Sequence, residues 1–105
     1  LKAFFDDEGS VRFHIAEHRR QVRGFQYDKK ILFLIAKLLK DFGIDSKVDS
    51  RFHEIIVSRK ENVEKFAKEI NFSKGLRVNG KRSNSVWKRS LEKRKILASL
   101  LASYQ

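Results

Sequence analysis

Three carboxylates stand side by side near the start of the chain: Asp6, Asp7 and Glu8, in LKAFFDDEGSVRF, directly ahead of Gly9. Carboxylates supply the hard oxygen ligands that a divalent cation takes. Their position is electrostatically awkward. Residues 1–8 read as a short, largely apolar helix ended by Gly9 as a C-cap. A helix C-terminus prefers cations, by about 0.3–1 kcal/mol per charge. Something has to offset three acids there. Other metal chemistries are closed off, because the chain has no cysteine and its three histidines lack the close, regular spacing of a zinc site.

The second chemical signal is basic. The chain carries 24 Lys and Arg against 13 Asp and Glu, a net charge of +11, which favours a polyanionic partner. The excess is uneven: residues 1–50 hold 10 bases and 8 acids, residues 51–105 hold 14 and 5. Between Lys74 and Lys95 nine bases face a single acid, Glu92. An excess of this size on one small domain points to nucleic acid. The basic run has no interleaved aromatic face, which argues against an anionic membrane. The loop NFSKGLRVNGKRSNS, with Lys74, Lys81 and Arg82, is too long for a plain connector and is a functional candidate.

These groups need elements to hold them, and 105 residues with 41% hydrophobic content suffice for one domain with a core. Val11, Phe13 and Ile15 alternate with polar or small neighbours as in a half-buried strand, and a second strand is expected over roughly 21–27, with Gly24 marking a bulge or a close approach. Asp28 is placed to cap a helix whose Ile31, Ile35, Leu38 and Phe42 line one face before Gly43 stops it. Two short strands follow, roughly 44–50 and 52–57, the second with His53, Ile55 and Val57 on its apolar side. Ser58 and Glu61 suit a capping box for the helix that carries Val63, Phe66, Ala67 and Ile70. A last helix is expected over about 86–103, with Trp87, Leu91, Ala98 and Leu101 near its buried stripe.

This order predicts an α+β domain, a four-stranded antiparallel sheet with helices on one face and the other face free. Arg12, His14, His18, Arg20, Gln26, Lys47 and Arg51 are the polar residues expected to line that face. Trp87 and the phenylalanines read most simply as core. No aromatic pair on neighbouring strands suggests stacking of single-stranded RNA.

At this point LKAFFDDEG resembles the LAGLIDADG motif of homing endonucleases, intein endonuclease domains and group I intron maturases. Leu1, Asp6 and Gly9 match letter for letter, Ala3 keeps a small residue, and Glu8 stands where the motif has its metal-binding acid. GSVRF, LLKDFGIDSKV and IIVSRKENVEKFAKEINFSKG are similar to the family's downstream elements, in the order αββαββα plus a terminal helix. The resemblance implies a saddle-shaped sheet on double-stranded DNA and a motif helix that packs against its counterpart. It implies Mg²⁺ or another divalent cation on Glu8, with Gly9 contributing its carbonyl. Asp6 would be structural, capping or bonding the partner helix beside Ala3, and Asp7 would face solvent. Lys74 would assist at the scissile phosphate, while Lys81 and Arg82 could make plain phosphate contacts.

The chain holds one such motif and starts on its first residue, so the resemblance implies a piece: a half that needs a second LAGLIDADG domain, in cis or as a homodimer, and more in keeping with the second half of a two-motif chain. The leading expectation is half of a site-specific DNA endonuclease involved in homing of an intron or intein. The alternative is a non-cleaving nucleic-acid binder on the same fold, an RNA maturase or a WhiA-like DNA-binding regulator. A basic structural or ribosomal-type protein would leave DDEG unexplained. With no apolar span and no secretory leader in the sequence, a cytoplasmic, intracellular protein is expected.

Overall fold

The apolar periodicity after Asp28 becomes a helix, α2 (Lys29–Asp41). In the computed structural model, which describes residues 1–14, 19–75, 77–78 and 91–104, the Asp28 carboxylate accepts the Lys30 amide at 2.9 Å, the N-cap bond expected of it. The other end closes through Gly43, whose φ of 77° only glycine adopts at little strain. Its N–H donates to the Lys40 carbonyl and the Ile44 N–H to that of Leu39, and Leu39 and Ile44 are both buried, completing a Schellman closure. The buried stripe, however, is Leu32, Ile35 and Leu39, while Ile31, Leu38 and Phe42 are exposed. Residues 31–35 are all apolar, so spacing alone permits several stripes, and packing over the sheet selects one.

The sheet contains β1 (Gly9–His14), β2 (Arg19–Phe25), β3 (Lys47–Asp49) and β4 (Glu54–Ser58), in the order β1-β2-β4-β3 and antiparallel throughout. Registers run without interruption, so Gly24 marks no bulge. It marks a close approach: a Cβ there would lie 2.4 Å from the Phe4 ring. Val11, Val22, Ile55 and Val57 point to one face and join the buried side chains of the helices in a single core. Side chains alternate along a strand, which leaves Ser10, Arg12, His14, Gln21, Arg23, Phe25, Lys47, Asp49, Glu54, Ile56 and Ser58 on the opposite face.

Helix α1 (Lys2–Glu8) packs on β1 and β2, with Phe5 fully buried against Phe66. Gly9 does follow it, but as the first residue of β1 with extended backbone (φ −88°, ψ 153°), not as a left-handed cap. What requires glycine is space, since a Cβ would fall 2.3 Å from the Phe5 carbonyl oxygen.

Helix α3 (Lys60–Glu69) starts without the expected capping box. Pairing with Gln21 keeps Ser58 in β4, and Arg59, at φ 73°, becomes the N-cap with no side-chain bond. Buried Asn62 takes over, donating to the Ser58 carbonyl and accepting the Asp45 amide.

A two-stranded sheet, β5 (Arg77–Val78) with β6 (Leu91–Glu92), precedes α4 (Lys93–Ala102). The last helix therefore begins well after the position expected, with Leu91 in a strand. Its buried residues are Ile96, Leu97 and Leu100, and Ala98 is exposed. Ile15 and Trp87 lie outside the described residues. The α+β class and the open four-stranded antiparallel sheet agree with expectation, and no helix among the described residues is long and apolar enough to cross a membrane.

Candidate nucleic-acid interface

Two helix ends of the wrong charge meet each other. α1 finishes with Asp6, Asp7 and Glu8, and α4 opens with Lys93, Arg94 and Lys95, where the dipole would prefer acids. The Lys93 ammonium donates to the Asp6 carbonyl at 3.1 Å and to the Gly9 carbonyl at 2.8 Å. It thus satisfies two carbonyls where α1 passes into β1, and it lies 5.6 Å from the centre of the Phe72 ring. Desolvation pushes the Lys93 ammonium below the ordinary lysine value, and the charges of Asp6, Asp7 and Glu8 resist that shift. This is the offset the acid run needed.

Asp6 is tied down separately. Its carboxylate accepts the Ser73 amide at 2.8 Å and the Ser73 hydroxyl at 2.5 Å. Desolvation raises the carboxyl, but the two bonds from Ser73, with Lys2 and Lys93 nearby, outweigh it and hold the group below the usual aspartate range. Asp6 therefore caps the segment after α3 within the same chain. Ala3, Asp7 and Glu8 are exposed on α1, so Glu8, unlike Asp6, keeps its carboxylate open to a ligand.

The sheet face opposite the helices begins at the same corner. Arg12, His14 and Lys47 lie on it, as expected. Arg20 does not. It pairs with Phe13, which puts it on the helix side, where it donates to the Ser103 hydroxyl at 2.6 Å and lies over the Tyr104 ring at 5.2 Å. The register after β1 could not be counted from the sequence, which hid this parity. Gln26 follows β2 and accepts the Asp28 amide, and Arg51 is exposed in the turn before β4, over the Phe52 ring. His18, Lys81 and Arg82 lie outside the described residues.

Sequence reasoning missed Gln21, Arg23 and Glu54. Arg23 donates to Gln21 Oε1 at 2.9 Å and pairs with Glu54 at 2.6 Å across the strands. With Arg23 so engaged, exposed Arg12 and Lys47, which form no ion pair among the described residues, are the cations this face offers to phosphate. The alternation rule contained the signal, since Arg23 sits two residues before Phe25 and one after buried Val22. Lys93 and Ser73 had no such local signal. Lys74 is exposed in the turn next to Ser73, whereas Lys93 is the base that reaches the α1 end.

Among the described residues no group of three or more His, Cys, Asp or Glu could hold a metal ion. The donor type at Glu8 fits a hard cation that takes one or two protein carboxylates and completes its shell with water and phosphate. The Gly9 carbonyl already accepts Lys93. A shallow cleft of about 470 Å³ between Leu1, Leu38, Phe42 and Ile70 lies at the opposite end of α1 from Glu8. Comparison of the chain with protein-family models, with curated proteins and with solved structures finds no match.

Proposed function

We propose that the chain is one half of a site-specific, Mg²⁺-dependent DNA endonuclease of the LAGLIDADG kind, with the αββαββα saddle of that family. The observation that carries this reading is the hand-off from α1 to β1: exposed Ala3 and Glu8 on the helix, then a strand whose outward residues start the sheet face that presents Arg12 and Lys47. Glu8 would hold the cation together with a carboxylate from a second domain and an oxygen of the scissile phosphate. When bound, such an ion activates a water and stabilises the leaving oxygen. The chain's own residues do the rest. Lys93 sets the position of the α1 end and offsets its charge, and Arg12 and Lys47 hold backbone phosphates on the sheet. Ala3 lets a partner helix approach closely.

The test joins the chain to a second motif domain, or to a copy of itself, and incubates it with a randomised library of duplexes in Mg²⁺. Double-strand cleavage is expected, lost in Glu8→Gln with duplex binding retained. Undiminished cleavage by Glu8→Gln would refute the ligand assignment. A second reading, the non-cleaving binder of DNA or RNA on the same scaffold, is favoured by one observation: Lys93 already brings a positive charge to the acid cluster and occupies the Gly9 carbonyl. Duplex binding without cleavage in either protein selects it.

A further inference from the structure

The end of the sheet that carries Glu8 carries a second feature. Gly9 pairs with Gly24, and the central strands leave the sheet beside them, through Phe25 and Glu54. Just beyond, the His53 imidazole lies flat on the Tyr27 ring, centroids 4.5 Å apart and planes 11° from parallel. Phe25 meets the same imidazole edge-on at 6.1 Å, and the Arg51 guanidinium lies 4.7 Å over the Phe52 ring. The phenylalanines read from the sequence as core, yet Phe25 is 46% and Phe52 57% exposed, and Tyr27 is 74% exposed.

The backbone under them is fixed. The Gln26 amide donates to the His53 carbonyl at 2.9 Å, and Asp49 accepts the Arg51 amide at 3.1 Å. His53 itself takes a left-handed φ of 56°, a conformation in which histidine is enriched several-fold among non-glycine residues. Its Nδ1 is buried with no hydrogen-bond partner among the described residues, so stacking holds the ring. The nearby acids are engaged: Glu54 by Arg23, Asp49 by the turn and Asp28 by the α2 amide. Arg51 is exposed in the same turn as His53.

A flat aromatic stack with an exposed ring, and a guanidinium in the turn that carries its histidine, fits a planar π-system linked to an anion. A nucleobase on its phosphate backbone has that chemistry. Bases inside a duplex present edges and no faces, so only an unpaired base can use it. We propose that Tyr27, backed by His53 and Phe25, with Arg51 in the same turn as His53, is a stacking site for an unpaired nucleobase next to the corner served by Glu8. The proposal rests on the nucleic-acid reading given above and adds the form of the ligand: a base bulged or displaced from its pair.

The test titrates the full chain with two duplexes of one sequence, one fully paired and one carrying a single extrahelical 2-aminopurine. The bulged duplex is expected to bind about tenfold tighter, with quenching of the probe on binding. Tyr27→Ala removes both effects and leaves affinity for the paired duplex unchanged, while Tyr27→Trp keeps them. Tyr27 is mostly in solvent, so these variants spare the core. Equal affinity for both duplexes with an unquenched probe overturns the stacking site and leaves the nucleic-acid reading standing; failure to bind either duplex overturns both. Self-association lost in Tyr27→Ala, with no preference for the bulge, would assign the stack to a second copy of the chain and likewise overturn the proposal.

Discussion

An ammonium group partly withdrawn from water is stable only where something replaces its hydration. Around Lys93 the replacements are the Asp6 and Gly9 carbonyls and the field of three carboxylates. Asp6 is held in a complementary way by Ser73, and its titration provides a test. Its carboxyl is depressed in the folded chain, so its contribution to stability is present in full above the unfolded value of 3.8 and is lost as pH falls through the folded value. Ser73→Ala should cost about 1.5–3 kcal/mol near neutrality, the range for a hydrogen bond to a charged group. In urea denaturation the gap from the parent should narrow as pH drops below 3.8; a gap independent of pH would separate Ser73 from the Asp6 charge. At this scale the acids were legible in the sequence and their partners were not. Ser73 lies 67 positions from Asp6 and Lys93 lies 84 from Gly9, and spacing rules reach only a few residues.

At the scale of elements, α1 sits on the sheet because two glycines let it. Gly9 gives way to the Phe5 carbonyl and Gly24 to the Phe4 ring, neither through a positive φ. Gly24→Ala should destabilise the domain by about 1–3 kcal/mol, as overpacking does. In a Phe4→Ala background, chemical denaturation should show that penalty shrink, because the obstructing ring is gone. An unchanged penalty would place the strain elsewhere. Legibility at this scale followed the kind of signal each element carried. α2 was plain, because Asp28 and Gly43 punctuate an apolar run, but the run was so uniformly apolar that its buried stripe could not be chosen before the sheet was placed. α3 was found and its cap misread, because strand pairing at Ser58 overrode a local motif. The face of Arg20 was not legible, because one residue of uncertainty in the register after β1 inverts every side chain that follows.

For the whole molecule, a charge of +11 matters through where its cations end up. Arg12 and Arg20 are eight positions apart and on opposite faces: one is exposed on the face away from the helices, the other is fastened to Ser103 and Tyr104. Duplex affinity should therefore fall linearly with the logarithm of salt, and Arg12→Ala should reduce the slope by about 1. Arg20→Ala should leave the slope alone and lower the thermal midpoint. Fluorescence titrations at several salt concentrations, with a melting curve for each variant, distinguish the two. A change of slope in Arg20→Ala would put that side chain on the nucleic acid.

The contact of Lys93 with the end of α1 also bears on the order in which the chain can fold. It closes a loop of 84 positions, and the entropy of that closure is spent before the contact returns anything. During synthesis the end of α1 leaves the ribosome long before Lys93 exists, and a chain stalled ahead of Lys93 holds a helix end whose Asp6 and Gly9 carbonyls lack their ammonium donor. The two helices with mismatched ends are weak alone and complete one another only late, so the last helix decides when the first is finished.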